Sequence, residues 1–127
     1  MKINMVKDFL QKFGRAYDGP PRELPYSVAR ARITLLREEL EELITALEDG
    51  DPVETLDAMV DLQYVLTGTV ILAGYDGVFD EAFRRVHESN MAKVAATSRS
   101  ESKRNDRSDI VKPPHWKKAD LSDLIGG

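Results

Sequence analysis

Residues 53–73 are apolar almost all the way round a helix: at ~100° per residue, Met59, Val60, Leu62, Val65, Leu66, Val70, Ile71 and Leu72 spread over the whole circumference. The segment opens with Asp51 at a cap position, Pro52 at the first helical position and Glu54 three residues after the cap, which reads as a capping box. A helix with apolar side chains on every side has to be covered on more than one of them, so it belongs at the centre of a bundle or in a subunit interface. Asp57 and Asp61 interrupt this pattern, four residues apart on one narrow strip that Gly68 continues. A buried carboxylate without a partner is costly, so these two acids call for a counter-charge.

The rest of the chain supplies the cover. Ile3, Val6, Phe9, Leu10 and Phe13 recur at helical spacing and predict a short amphipathic helix stopped near Gly14. Asp18, Gly19, Pro20, Pro21 and Pro25 exclude regular helix across residues 15–25, giving a loop free to move near a site. A second helix is expected from Ser27, as cap, to Glu48, ended by Asp49-Gly50, with Ile33, Leu36, Leu40, Leu43, Ile44 and Leu47 as its apolar stripe. A fourth runs over residues 78–95 with Phe79, Ala82, Phe83, Val86 and Val94 in line; Asn90 sits on that line and Lys93 one turn further on the same side. Residues 97–109 are polar and aperiodic, a loop or arm. Residues 110–116 read as extended with Trp116 as a packing anchor, and a short turn follows over residues 120–125. With no repeat and no strand-rich stretch, the class is all-α: an antiparallel bundle of about four main helices, completed by dimerisation, with an irregular C-terminal tail. The division expected is a helical domain over residues 1–96 and a polar arm and tail over 97–127 that packs on it or on a partner subunit.

A chain of 127 residues suits one domain, and 42% hydrophobic with 31% charged residues is a globular balance. A net charge of -4 argues against a nucleic-acid or membrane-surface partner. Without cysteine, a metal would be held by oxygen ligands or by His87 and His115, which favours a hard ion. No signal-peptide core and no apolar run of membrane-spanning length stand out, so a cytoplasmic protein is expected.

Residues 37–43 pack four glutamates into five positions of the second helix. Projection separates Glu38, Glu39 and Glu42, on a face adjoining the apolar stripe, from Glu41, which points the other way. The short connection at residues 49–51 makes this helix the antiparallel neighbour of the one carrying Asp57 and Asp61, and acids some two turns from it on each side would face each other. Mg²⁺ takes near-octahedral oxygen coordination from carboxylates, phosphates and water, and such a pair of helices could supply it; Asn90 and Lys93 could then meet the phosphates. Each part alone has a plainer reading. Glutamate faces are usually solvated, a single aspartate pairs with an arginine, and Glu54 is a cap. Asn90 can cross-link helices, and Lys93 can complement a helix end. The combination is rarer than any part.

The order Glu38-Glu39-x-x-Glu42-Leu43, a short turn, Asp57-Ala-x-x-Asp61-Leu62-x-Tyr64-Val65, then Val86-His87-x-Ser89-Asn90-Met91-x-Lys93 resembles the MazG-like branch of the all-α NTP pyrophosphohydrolases. That superfamily also contains dimeric dUTPases and phosphoribosyl-ATP pyrophosphatase. Phe13-Gly14 and the tail Lys112-Pro113-Pro114-His115-Trp116 with Asp120-Leu121 are similar as well. The resemblance implies Mg²⁺-dependent cleavage, with Mn²⁺ as a substitute, of a (d)NTP substrate between its α- and β-phosphates to (d)NMP and pyrophosphate. It implies Glu39, Glu42 and Asp61 as metal ligands, Glu38 as a further ligand or the group that orients the attacking water, and Asn90 and Lys93 as phosphate-binding residues. The usual second motif has Glu three residues before the Asp; this chain has Ala58 there, and Asp57 on a similar face is the substitute ligand. A homodimer or dimer of dimers is implied too. Two alternatives stay open: hydrolysis of phosphoribosyl-ATP, and a non-catalytic helical dimerisation or adaptor module.

Overall fold

A computed structural model describes residues 2–126. It contains four helices, α1 (Ile3–Lys12), α2 (Tyr26–Asp49), α3 (Pro52–Leu72) and α4 (Phe79–Met91), and two two-residue strands, β1 (Val94–Ala95) and β2 (Ile110–Val111). Short 3₁₀ turns lie at Arg99–Glu101 and Ser122–Ile125. The all-α class holds. The chain forms two compact units, Met1–Gly77 and Val78–Gly127.

In the first unit the α2–α3 corner fixes the register on which everything else depends. Gly50 takes the left-handed conformation (φ 65°) that a glycine tolerates without penalty. The Gly50 amide then donates to Leu47 O (3.2 Å) and the Asp51 amide to Ala46 O (3.3 Å), closing α2 in a Schellman motif. Asp51 at once begins α3: one carboxylate oxygen accepts from the amides of Val53 and Glu54, both at 3.1 Å. The expected cap is therefore present. The reciprocal half of the capping box is not, because the Asp51 amide is already bonded to α2. At the other end of α2 the expected cap at Ser27 is corrected: the helix starts at Tyr26 with Pro25 in the cap position and no side-chain cap. Pro25, at φ -53° and ψ 145°, turns the chain into the helix two residues before Ser27.

The core cluster is Val6 and Leu10 of α1 against Ile71 and Leu72 of α3, with Tyr17, Leu24 and Val28 packed around it. Helix α1 ends at Lys12, near the expected stop at Gly14 (φ 65°), and the Arg15 amide donates to Leu10 O at 2.8 Å. The loop over residues 15–25, expected to be mobile, is pinned instead. Arg22 donates from its amide to Ala73 O (2.9 Å) and from Nε to Leu72 O (3.0 Å), and its guanidinium stacks 3.6 Å from the centre of the Tyr17 ring. At Gly74 (φ 72°) a Cβ would lie 2.5 Å from Pro20 O, so the loop crosses where only glycine admits it.

Helix α3 is buried on the side facing α1 and α2, through Ala58, Thr67, Gly68, Val70, Ile71 and Leu72. Elsewhere it shows Leu56, Met59 and Val60 at 64, 47 and 54% exposure, and α2 shows Leu40 and Leu47. Against the expectation that no run approaches a membrane span, α3 qualifies by length and by a mean hydropathy of 1.2. A bundle-core helix meets the same criterion, and Asp57 and Asp61 lie within this one.

In the second unit α4 stops at Met91, short of the expected end at residue 95. Val94 pairs with Val111 and Ala95 with Ile110 in an antiparallel ladder, so β-branched residues leave the helix for strand pairing. Lys93 consequently lies outside the helix rather than a turn beyond Asn90 on its surface. The tail docks on α4 through the Arg85 guanidinium, which donates to Asp123 (2.6 Å) and Asp120 O (3.1 Å).

Candidate active site

Glu39 and Asp61 stand the same number of residues from Gly50, so the tight antiparallel corner sets them across from each other. Ligand oxygens of Glu39, Glu42 and Asp61 all lie within 4.8 Å of one another. Glu39 is half-buried and the other two are exposed. The Glu39 carboxyl is pushed above its ordinary value, first by burial and then by the negative charge of Glu42, with Asp61 and Glu38 adding to it. Its Oε2 is buried with no hydrogen-bond partner. A buried acceptor among like charges is what a cation would satisfy, and three convergent carboxylates are the donor set that a hard divalent ion takes.

The other expected acids fall around this trio. Glu38 is exposed on the preceding position of α2 and adds its charge to Glu39. Asp57 is outside the trio. Its place, one turn nearer the corner, puts it along a groove of about 410 Å³ with Glu42, Glu54 and Ala58. Ala58, 4% exposed, occupies the position three residues before Asp61. Glu41 also lines this groove, and, as the projection expected, it is not among the three acids that converge.

On the other side of Glu39 and Asp61 lies a cavity of about 330 Å³ lined also by Phe9, Tyr64 and Arg32. Phe9 meets Tyr64 edge to face at 5.4 Å and Phe13 at 5.0 Å. Arg32 reaches into α3, where Nε donates to Thr69 Oγ1 (3.1 Å) and Nη2 to Val65 O (2.8 Å). A Cβ on Gly68 would stand 2.7 Å from that Nη2, which is why the acid strip ends in glycine. Arg32 has no carboxylate within salt-bridge distance among the described residues, and burial lowers its pKa. The sequence reading passed over it. The signal available was spacing: Arg32 precedes Glu39 by seven residues, two turns on the same face of α2.

Asn90 and Lys93 belong to the second unit. Asn90 is exposed in the last turn of α4, and Lys93 is half-buried beyond it with its ammonium 5.3 Å from the centre of the Trp116 ring. Trp116 is the anchor expected, its Nε1–H donating to Ser89 O at 2.7 Å.

A family model described as phosphoribosyl-ATP pyrophosphohydrolase matches residues 6–90, two thirds of the chain, and spans the whole acid site. No curated protein matches the sequence.

Proposed function

The chain belongs to the phosphoribosyl-ATP pyrophosphohydrolase family, within the MazG-like all-α NTP pyrophosphohydrolases whose members cleave phosphoric anhydrides, and on that premise we propose that it hydrolyses a nucleoside triphosphate to the monophosphate and pyrophosphate. The observation that carries this reading is the convergence of Glu39, Glu42 and Asp61 within 4.8 Å beside a cavity with aromatic walls. Those three carboxylates would hold a divalent cation, Mg²⁺ by the hardness of the donors, with Mn²⁺ able to replace it. Bound there, the cation supplies charge neutralisation for the anhydride phosphates and lowers the pKa of bound water.

The remaining roles fall to this chain's own groups. Glu38 accepts the proton of the attacking water as the new P–O bond forms and the bond bridging the α- and β-phosphates breaks, the leaving oxygen departing on pyrophosphate. Asn90 donates an amide N–H and Lys93 a positive charge to phosphate oxygens. Asp57, one turn from Asp61, would stand in for the glutamate that Ala58 replaces and add its negative charge to the ion site. The exposed Leu56, Met59 and Val60 of α3 support a homodimer or dimer of dimers in which a partner covers this face.

The family description favours a second substrate, phosphoribosyl-ATP, which carries the same anhydride. Mg²⁺-dependent release of pyrophosphate, compared between a panel of (d)NTPs and phosphoribosyl-ATP, tests both readings. Pyrophosphate from neither substrate, with folded protein, would reject them.

A further inference from the structure

The tail of the second unit assembles a cationic cluster that the acid motifs do not explain. Val94 pairs with Val111 and Ala95 with Ile110, so Lys93 and Lys112 flank the same end of this short ladder. Like charges brought to one end of a strand pair repel. Neither lysine has a carboxylate within 4.0 Å among the described residues. Both ammonium groups lie instead against Trp116, Lys93 Nζ at 5.3 Å and Lys112 Nζ at 4.9 Å from the ring centre.

The ring is fixed before any ligand arrives. Trp116 Nε1–H donates to Ser89 O, and Ser89 Oγ donates back to Lys117 O at 3.1 Å, so the tail is tied to α4 from both sides. His115, just before the ring, is held at φ 67°, a left-handed conformation costly for a residue with a Cβ. Lys117 and Lys118, which have no acid partner among the described residues, line with Trp116 a neighbouring cavity of about 580 Å³ to which Lys93 and Lys112 do not contribute. The acids bordering that cavity are already engaged: Glu88 with Arg84, and Asp120 with the amide and hydroxyl of Ser122. In a chain of net charge -4, this is a local reversal of sign around the single tryptophan.

We propose that Lys93, Lys112 and Trp116 form an anion clasp that binds phosphate groups through the two ammonium groups resting against the indole. A lone lysine resting on a tryptophan is ordinary packing; two lysines brought to one ring with no acid partner are stabilised by a shared anion. The identity of that anion as the substrate's polyphosphate rests on the function proposed above, whereas the clasp itself does not. Lys112 thereby joins the binding residues from outside the family-matched segment, residues 6–90.

The single tryptophan makes the test direct. Metal-free, full-length protein at low salt is titrated with inorganic tripolyphosphate while Trp116 emission is followed, with a nucleoside lacking phosphate in parallel. A saturable change with tripolyphosphate and none with the nucleoside is expected. Lys112→Gln and Lys93→Gln should each weaken binding about tenfold, the worth of one charge-assisted contact. Lys112→Arg should restore it, and Lys2→Gln, in the other unit, should leave it unchanged. Equal binding by Lys112→Gln, or an equal response to the nucleoside, overturns the clasp. Titration without any pyrophosphate release by the wild type would sink the proposed function and leave the clasp standing; release without titration would do the reverse.

Discussion

Replacing Asp61 with Asn should stabilise the protein in the absence of divalent cations and remove its stabilisation by them. Two unit charges 4.8 Å apart repel by about 0.9 kcal/mol at the dielectric of water and about 3.5 kcal/mol at an effective value of 20. Glu42 and Asp61 are exposed, so the lower figure applies, and Asp61 faces two neighbours, for a relief of about 2 kcal/mol. In a chain of this length that corresponds to a rise of roughly 7 °C in Tm. With Mg²⁺ or Mn²⁺ at a hundred times its Kd, the wild type should gain about 2.7 kcal/mol and overtake the variant, which should gain little. Scanning calorimetry with chelator and with each ion reads both halves. A variant less stable than the wild type in chelator, together with a wild-type Tm that neither ion moves, would refute the idea that the trio is a cation site held in like-charge tension.

Other outcomes follow from the same contacts. Glu38→Gln should keep the fold and lower turnover by ~10²–10⁴-fold, the usual yield of a general base; near-normal turnover would take that role from Glu38. Asp51→Ala should cost about 1 kcal/mol in urea unfolding through loss of the α3 cap, while Asp51→Asn, which keeps an acceptor oxygen, should cost much less. Glu81 is held down to about 2, from an ordinary 4.5, by its hydrogen bonds to the Arg84 and Arg85 guanidinium groups. Its folded value lies below its unfolded one, so its contribution is complete above pH 4.5 and is lost as pH falls toward 2. The stability gap between wild type and Glu81→Gln should therefore close over that window, and a constant gap would contradict the assignment. Val60→Glu should shift the sedimentation of the assembly from dimer to monomer, and a monomeric wild type would remove the proposed interface.

What the sequence made legible was whatever depends on spacing along one helix or across one short corner. Asp49-Gly50-Asp51-Pro52 encodes both the end of α2 and the start of α3, and once that corner is fixed the facing of Glu39 and Glu42 toward Asp61 follows from rise and turn alone. Contacts that depend on long-range packing were not legible. Arg22 and Arg32 look in sequence like two more surface cations, yet one pins the proline-rich loop to the end of α3 and the other fills the space left by Gly68. The end of α4 was misjudged because helical periodicity continues through Val94, while the strand partner that claims it, Val111, lies seventeen residues away.

The central claim is that the Glu39, Glu42 and Asp61 trio holds a cation for cleavage of a phosphoanhydride. Product analysis of the wild type and Asp61→Asn, with and without Mg²⁺, tests it most directly by separating pyrophosphate from orthophosphate. Stoichiometric monophosphate and pyrophosphate from the wild type only when Mg²⁺ is present, and none from folded Asp61→Asn, is the predicted result. Equal pyrophosphate release by the variant, or orthophosphate as the only inorganic product, would contradict it.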